Sequence, residues 1–206
     1  MIVLDCIQNS PEWDAARLGI VTSSSFNKII TTTGGVSKQR EKYLYTLAGQ
    51  RVSGRIEETY KNADMSRGNE NEEKSRSHFE YIHDVDISQV AVVYPDEEKR
   101  YCCSPDGLIL EWGEGFETKD AIFSIQIARL KAHKPDPEHL CQMQFSMAVC
   151  GYKAWWYQSF CDGLSPLTLK IKRDEKYISA LQKELDAFCT ELDELTEWLN
   201  SPEVAA

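Results

Sequence analysis

Residues 104–119 read SPDGLILEWGEGFETK: two short β-rich runs, GLILEW and GFETK, separated by a GEG turn and preceded by a Pro-Asp turn. Asp106 opens the first strand, while Glu117 and Lys119 alternate on the second. Side chains two apart on a strand point to the same face, so Glu117 and Lys119 project together and a hairpin brings Asp106 within reach of them.

Working outward, the period-2 pattern begins at Val90 with VAVVY and CC, separated by PDEEKR and SPDG turn signals, which predicts an antiparallel meander. Before it, residues 37–53 carry Tyr43, Leu44, Leu47, Ala48 and Val52 at helical spacing, and residues 66–82 carry a second helical pattern ending in Phe79 and Ile82. Still earlier, in residues 1–35, the Thr22–Ser25 hydroxyl run can cap a helix through Lys28–Ile30 that Gly34-Gly35 ends. After the meander, 122–132 and 137–149 read as helices, and AWWYQSF and LTLKI as strands. Trp155, Trp156 and Tyr157 are expected to alternate between core and sheet surface rather than to stack on bases. Ile178, Leu181, Leu185, Phe188, Leu192, Leu195 and Leu199 then form one apolar stripe behind Asp174, a candidate cap. That long amphipathic helix packs on its own domain or makes a subunit contact. The order indicates an α/β fold, a mixed central sheet flanked by helices with a long C-terminal helix, in a single domain over 1–206.

The 206 residues, 42% hydrophobic and 27% charged, are enough to bury a sizeable core in one such domain. No apolar run approaches a bilayer span and the N-terminus lacks a signal-peptide pattern, so an intracellular protein is expected. Seven cysteines without a CxxC pair read as reduced, buried thiols and disfavour a zinc or iron–sulfur site. The four histidines show no ligand spacing and read as surface or helix residues. A formal charge of −10 argues against coating nucleic acid nonspecifically, although a narrow cleft can focus a few basic residues against an acidic exterior.

Asp106 and Glu117, helped by the Thr118 carbonyl, supply the hard oxygen ligands that Mg²⁺ prefers. A metal there lowers the pKa of a bound water, and Lys119 can orient that water or accept its proton. Acid-x-Lys also occurs at Glu72-Lys74, Glu97-Lys99 and Asp174-Lys176, where it marks a solvated face. From spacing alone, nuclease chemistry and a surface hairpin with incidental charges both stay open.

SPDGL, the E-x-K eleven residues after its aspartate, CQMQFSMAVCGYKAWWY downstream and W-x₃-RLGIVTSS upstream together resemble the phage lambda exonuclease family, also called YqaJ-like viral recombinases. The blocks run in order from Trp13 to RDEKY at 173–177. The resemblance implies a restriction-endonuclease-like PD-(D/E)xK core and a 5′→3′ exonuclease on linear double-stranded DNA. Such an enzyme needs Mg²⁺, with Mn²⁺ a possible substitute, releases 5′-mononucleotides and leaves a 3′ single strand. It also implies a homotrimer, a single-strand annealing partner, and a phage or prophage protein in a bacterial cytoplasm.

By position, Asp106 and Glu117 match the metal-binding carboxylates, Lys119 the catalytic lysine and Gln142 the glutamine that helps to position lysine and water. Glu72, in RGNENEE, matches an upstream acid for a second metal or its water shell, against a plain helix-surface charge. Arg17, Ser24 and Ser104 match residues that hold a terminal 5′-phosphate. For Arg17 a surface pair with Glu12 or Asp14 competes. Asp120-Ala121 departs from the Cys-Pro that often follows the lysine, so Asp120 can add a carboxylate near the metals. The rivals are an endonuclease or repair nuclease on the same core, and a DNA-end-binding module or metal-binding scaffold without catalysis.

Overall fold

The computed structural model describes residues 1–56 and 63–204. Its central sheet has four strands in the order β5 (Gly107–Ile109), β6 (Glu114–Asp120), β7 (Ala154–Phe160), β8 (Leu167–Lys172). β5 and β6 form an antiparallel hairpin, β6 and β7 run parallel, and β7 and β8 run antiparallel, so the sheet is mixed as expected. The hairpin closes through Leu110–Gly113, where Gly113 takes a φ of +62° that a side chain would strain. Gly115 has a different reason: a Cβ there would fall inside the Trp155 ring, its partner across β6–β7.

The parallel β6–β7 connection must cross the sheet, and helices α4 (Phe123–Ala132) and α5 (Pro137–Cys150) carry it. On the α5 face lie Glu117, Tyr157 and Trp155, packed also against α2 (Arg40–Ser53) and the long α6 (Glu175–Leu199). The other face carries Phe116 and Trp156 against Phe79 of α3 (Ala63–His83). The three aromatic neighbours alternate, with Trp155 and Tyr157 buried in one cluster and Trp156 packed on the other.

α3 and β6 mesh by repeat length. Four helical residues rise about 6 Å and two strand residues about 6.6 Å. Asn71, Ser75 and Phe79 accordingly meet Asp120, Thr118 and Phe116: Asn71 donates to the Asp120 carboxylate at 2.6 Å, and the Ser75 and Thr118 hydroxyls lie 2.5 Å apart. Asp120 therefore faces α3, across the sheet from Glu117.

The antiparallel meander expected from Val90 onward forms in part: β5 and β6 are its hairpin, and Val93 and Cys103 exchange backbone hydrogen bonds at 2.8 and 3.0 Å, but its first two strands also find partners outside it. β3 (Val92–Tyr94) pairs antiparallel with β1 (Ile2–Leu4), and β4 (Tyr101–Cys102) pairs parallel with β2 (Val21–Thr22). Runs of two or three residues carry too little pairing to choose a neighbour, and the N-terminal segment supplies another edge. The helix expected behind the hydroxyl run is a short 3₁₀ helix, Ser23–Lys28, in which Thr22 makes no side-chain cap; its hydroxyl pairs with Ser24 at 3.2 Å instead. A short helix not anticipated from the sequence, α1 (Pro11–Arg17), is capped by Ser10, whose side chain accepts from the Trp13 amide at 3.2 Å.

α6 begins as expected, with the Asp174 carboxylate accepting from the Lys176 and Tyr177 amides. Its stripe is spent within this chain: Ile178, Leu181, Leu185, Phe188 and Leu192 are buried, with Phe188 stacked on Tyr43 of α2 at 5.6 Å. Arg40 closes the α2–α6 contact with a bidentate pair to Glu191 at 2.6 and 2.8 Å. Exposed apolar side chains gather instead around α4, where Ile122, Phe123, Ile125 and Ile127 face solvent while Gln126 and Arg129 are buried. None of the described helices is long and apolar enough to cross a membrane.

Candidate active site

β6 ends as a lone edge beyond the three-residue pairing with β5, and the Asp106 side chain turns back to fill the gap. Its carboxylate accepts from the Thr118 amide at 2.7 Å. The N–H and C=O of one extended residue face the same neighbour, so the Thr118 carbonyl lies on the Asp106 side too. One residue either way, Glu117 and Lys119 project towards α5. One oxygen of Glu117 accepts from the Lys119 ammonium at 2.5 Å and from the Gln142 amide at 2.7 Å. Asp106, Glu117, Lys119 and Gln142 are thus brought together, on a hairpin and the helix that crosses behind it.

The centre is short of positive charge. Glu117 is 1% exposed, and its second oxygen is buried with no hydrogen-bond partner. An unmet buried carboxylate oxygen is costly. Burial, then the Asp106 and Glu72 charges, push Glu117 up to about 7 against the pull of Lys119. Burial raises Asp106 as well, and burial and Asp106 raise Glu72. Lys119 is pulled down by burial but more strongly up by Glu117 and Asp106, so it stays protonated rather than acting as a base while these carboxylates are bare.

These observations test the site for a divalent cation. An orphaned buried oxygen and an oxygen-only donor set fit a hard ion such as Mg²⁺. Among the described residues no three acidic, His or Cys side chains gather tightly enough to hold a metal by themselves. Glu72 explains why: it is half-buried on α3, where Arg76 donates to it at 3.3 Å. It is an electrostatic neighbour of Asp106 and not a plain surface charge, yet the structure does not bring it into the Glu117–Lys119–Gln142 cluster.

Of the other candidate set, Arg17 and Ser104 are joined through Trp13. The Arg17 guanidinium lies 3.7 Å over the Trp13 ring, and the Trp13 indole donates to the Ser104 hydroxyl at 3.2 Å and to the Ala91 carbonyl at 3.1 Å. Arg17 makes no ion pair with Glu12 or Asp14 among the described residues, so the competing surface pair does not form. Its Nε is buried without a partner, and burial lowers its pKa. Ser24 bonds to Thr22, and among the described residues it shares no hydrogen bond with the other two. The 3₁₀ helix there is short, so this corner offers side chains and not a long helix dipole.

The sequence reading missed three participants. His139, taken as a surface or helix residue, stacks on Tyr157, with Nδ1 3.4 Å from the phenol, and burial, Lys119 and Arg129 push it down to about 4. It sits one turn before Gln142, a spacing that could have flagged it. Arg76 donates to the Asp106 carbonyl at 3.1 Å, and Gln8 donates to the Pro105 carbonyl at 3.1 Å. Neither stands in a chemically suggestive pattern. A cleft of about 630 Å³ opens beside them, lined by Gln8, Glu72, Arg76 and Ala91 among others.

The geometry has clear relatives. An alkaline exonuclease from Laribacter hongkongensis superposes with a TM-score of 0.82 at 30% identity, over 92% of this chain and 96% of that one. The same exonuclease in complex with dAMP gives the same figures. A phage-related exonuclease from Haemophilus somnus 129PT, at a TM-score of 0.68 and 16% identity over 88% and 96% of the two chains, shares the fold. No curated protein matches. The family model for the YqaJ-like viral recombinase domain matches residues 12–153, from the residue before Trp13 through the Asp106 hairpin and Gln142 to the start of the β7 approach. With its Trp13–Arg17 corner, hairpin and crossover helix in that order within the matched residues, this chain belongs to the YqaJ-like viral recombinase family.

Proposed function

We propose that this single-domain protein is a Mg²⁺-dependent 5′→3′ exonuclease that digests one strand of linear duplex DNA, releasing 5′-mononucleotides and leaving a 3′ single strand for annealing. The observation that carries the reading is the buried Glu117 carboxylate, fixed through one oxygen by Lys119 and Gln142 while the other lacks a partner. Family membership and the 30%-identical alkaline exonuclease support it.

Asp106, Glu117 and the Thr118 carbonyl would hold Mg²⁺, or Mn²⁺ in its place, with Glu72 serving a second ion or its water shell. Bound there, the metal supplies a water of lowered pKa and a counter-charge for the phosphate. Gln142 locks the Glu117 rotamer. Lys119 keeps its proton and donates to the attacking water or a phosphate oxygen, orienting it against the strand. Arg17, Ser104 and Ser24 would hold the terminal 5′-phosphate, a planar guanidinium being suited to bidentate contact with it.

The test is digestion of linear duplex with and without a 5′-phosphate, in MgCl₂ and in EDTA, beside closed circular DNA. Loss of the 5′-phosphorylated strand from linear DNA in MgCl₂ alone is expected. Cutting of the circle would make it an endonuclease, and binding of ends without cutting would leave an end-binding module. A homotrimer, an annealing partner and a bacterial cytoplasmic setting complete the proposal. The exposed apolar side chains around α4, and not the α6 stripe, offer the contact surface; light scattering that gives a 23.5 kDa monomer would refute the trimer.

A further inference from the structure

Ser104, Pro105 and Asp106 are consecutive, and a different part of the chain grips each of them. The Ser104 hydroxyl is held by Trp13 of α1, 91 residues away. The Pro105 carbonyl accepts from the Gln8 amide nitrogen, 97 residues away, and that same nitrogen also reaches the Val90 carbonyl at 3.0 Å. The Asp106 carbonyl is held by Arg76 of α3 and its carboxylate by the Thr118 amide. Arg76 is itself fixed: with its amide turned so that the oxygen faces the guanidinium, Gln89 accepts from both terminal nitrogens at 2.9 and 2.6 Å.

A turn that leads into a hairpin strand needs no such anchoring, because proline already fixes its own φ and the β5–β6 ladder sets the register. What needs it is distance. The turn carries a candidate phosphate contact at one end and a candidate metal ligand at the other, and a misplacement of about 1 Å in a reacting array can cost about 10²-fold in rate. Gln8 belongs to neither half: among the described residues its side chain hydrogen-bonds only to two backbone carbonyls, those of Val90 and of Pro105 in the turn.

Resting on the nuclease reading above, we infer that the Ser104–Asp106 turn is a spacer that fixes the separation of terminal-phosphate pocket and metal centre, with Gln8 as the positioning residue that couples them. Loosening Gln8 therefore disturbs both ends at once, whereas a residue of either half disturbs one.

Gln8→Met keeps the side-chain length and removes both donated hydrogen bonds. Two titrations that need no turnover read the effect: calorimetric binding of Mn²⁺ to the DNA-free protein, and binding of 5′-phosphorylated against 5′-hydroxyl duplex in EDTA. Metal affinity and end preference should fall together, each by about five- to tenfold, the scale of one lost hydrogen bond. Arg17→Ala should move only the end preference, and Asp106→Asn only the metal affinity. Retention of both quantities in Gln8→Met, with only a lower melting midpoint, or loss of one without the other, overturns the coupling. If Gln8→Met does not fold, Gln8→Asn, with the same amide on a shorter stem, is read by the same pair of titrations. A wild-type protein that binds no divalent cation and ignores the 5′-phosphate sinks the nuclease reading, and the coupling with it, before any variant is compared.

Discussion

The Glu117 centre and the Arg17 corner are incomplete in opposite senses. At the centre Asp106 and Glu117 face the Lys119 ammonium, both carboxylates are raised by burial, and a buried Glu117 oxygen has no hydrogen-bond partner among the described residues. At the corner a part-buried guanidinium lies over an indole with no acid paired to it among the described residues. Folding alone rarely tolerates either arrangement, because burying an unbalanced charge costs more than it returns. Side by side they describe a surface missing a cation at one end and an anion at the other, as a metal and a phosphate strand would supply.

The hardest blow to that contrast is removal of the centre. Asp106→Ala, Glu117→Ala and Lys119→Ala should each lower the digestion rate by at least about 10²-fold while circular dichroism stays that of the wild type. Any one of them digesting DNA at the wild-type rate would break the assignment. Next comes the corner: Arg17→Ala should slow phosphorylated ends by about tenfold or more, the worth of a charge-assisted hydrogen bond, and hydroxyl ends little. An unchanged ratio of the two rates would show that the corner does not read the end.

The pH dependence sharpens the difference further. Because Glu117 holds a proton up to about 7, a metal must displace it below that value. The Mg²⁺ concentration for half-maximal activity should rise about fivefold from pH 7 to pH 6 and level off above pH 8. In EDTA the same shift makes the folded protein more stable as pH falls from 7 towards 4.5, since the folded chain takes up a proton that the unfolded chain still lacks. A half-saturating Mg²⁺ level that does not change across this range would remove Glu117 from the ligand set. The smallest effect falls on the residue between the regions. Glu72→Gln, at a position tied to Arg76, should raise half-saturating Mg²⁺ by only about fivefold, the scale of a modest charge interaction at a partly buried site. A loss as large as that of Glu117→Ala would place Glu72 at the centre.

The sequence by itself determined the features whose causes lie within a few residues. The SPDG and GEG turns with period-2 alternation specify the β5–β6 hairpin, and thereby the meeting of Asp106 with Glu117 and Lys119. Asp174 and the stripe behind it specify α6 from its first residue. Helical spacing specifies α5 with Gln142. What only the tertiary structure decided are pairings between distant segments. β3 and β4 bridge antiparallel at Val93 and Cys103 as a meander would, but their further pairing goes to β1 and β2, and a short strand carries no record of such a partner. The α6 stripe suits a subunit as well as its own domain until α2 covers it. Gln8, Arg76 and His139 stand in unremarkable stretches and acquire roles only when folding brings a carbonyl or a phenol 82, 30 or 18 residues away within reach of their side chains. Local periodicity encodes which face of an element is apolar, but the partner of that face is set by chain closure, which no window of sequence contains.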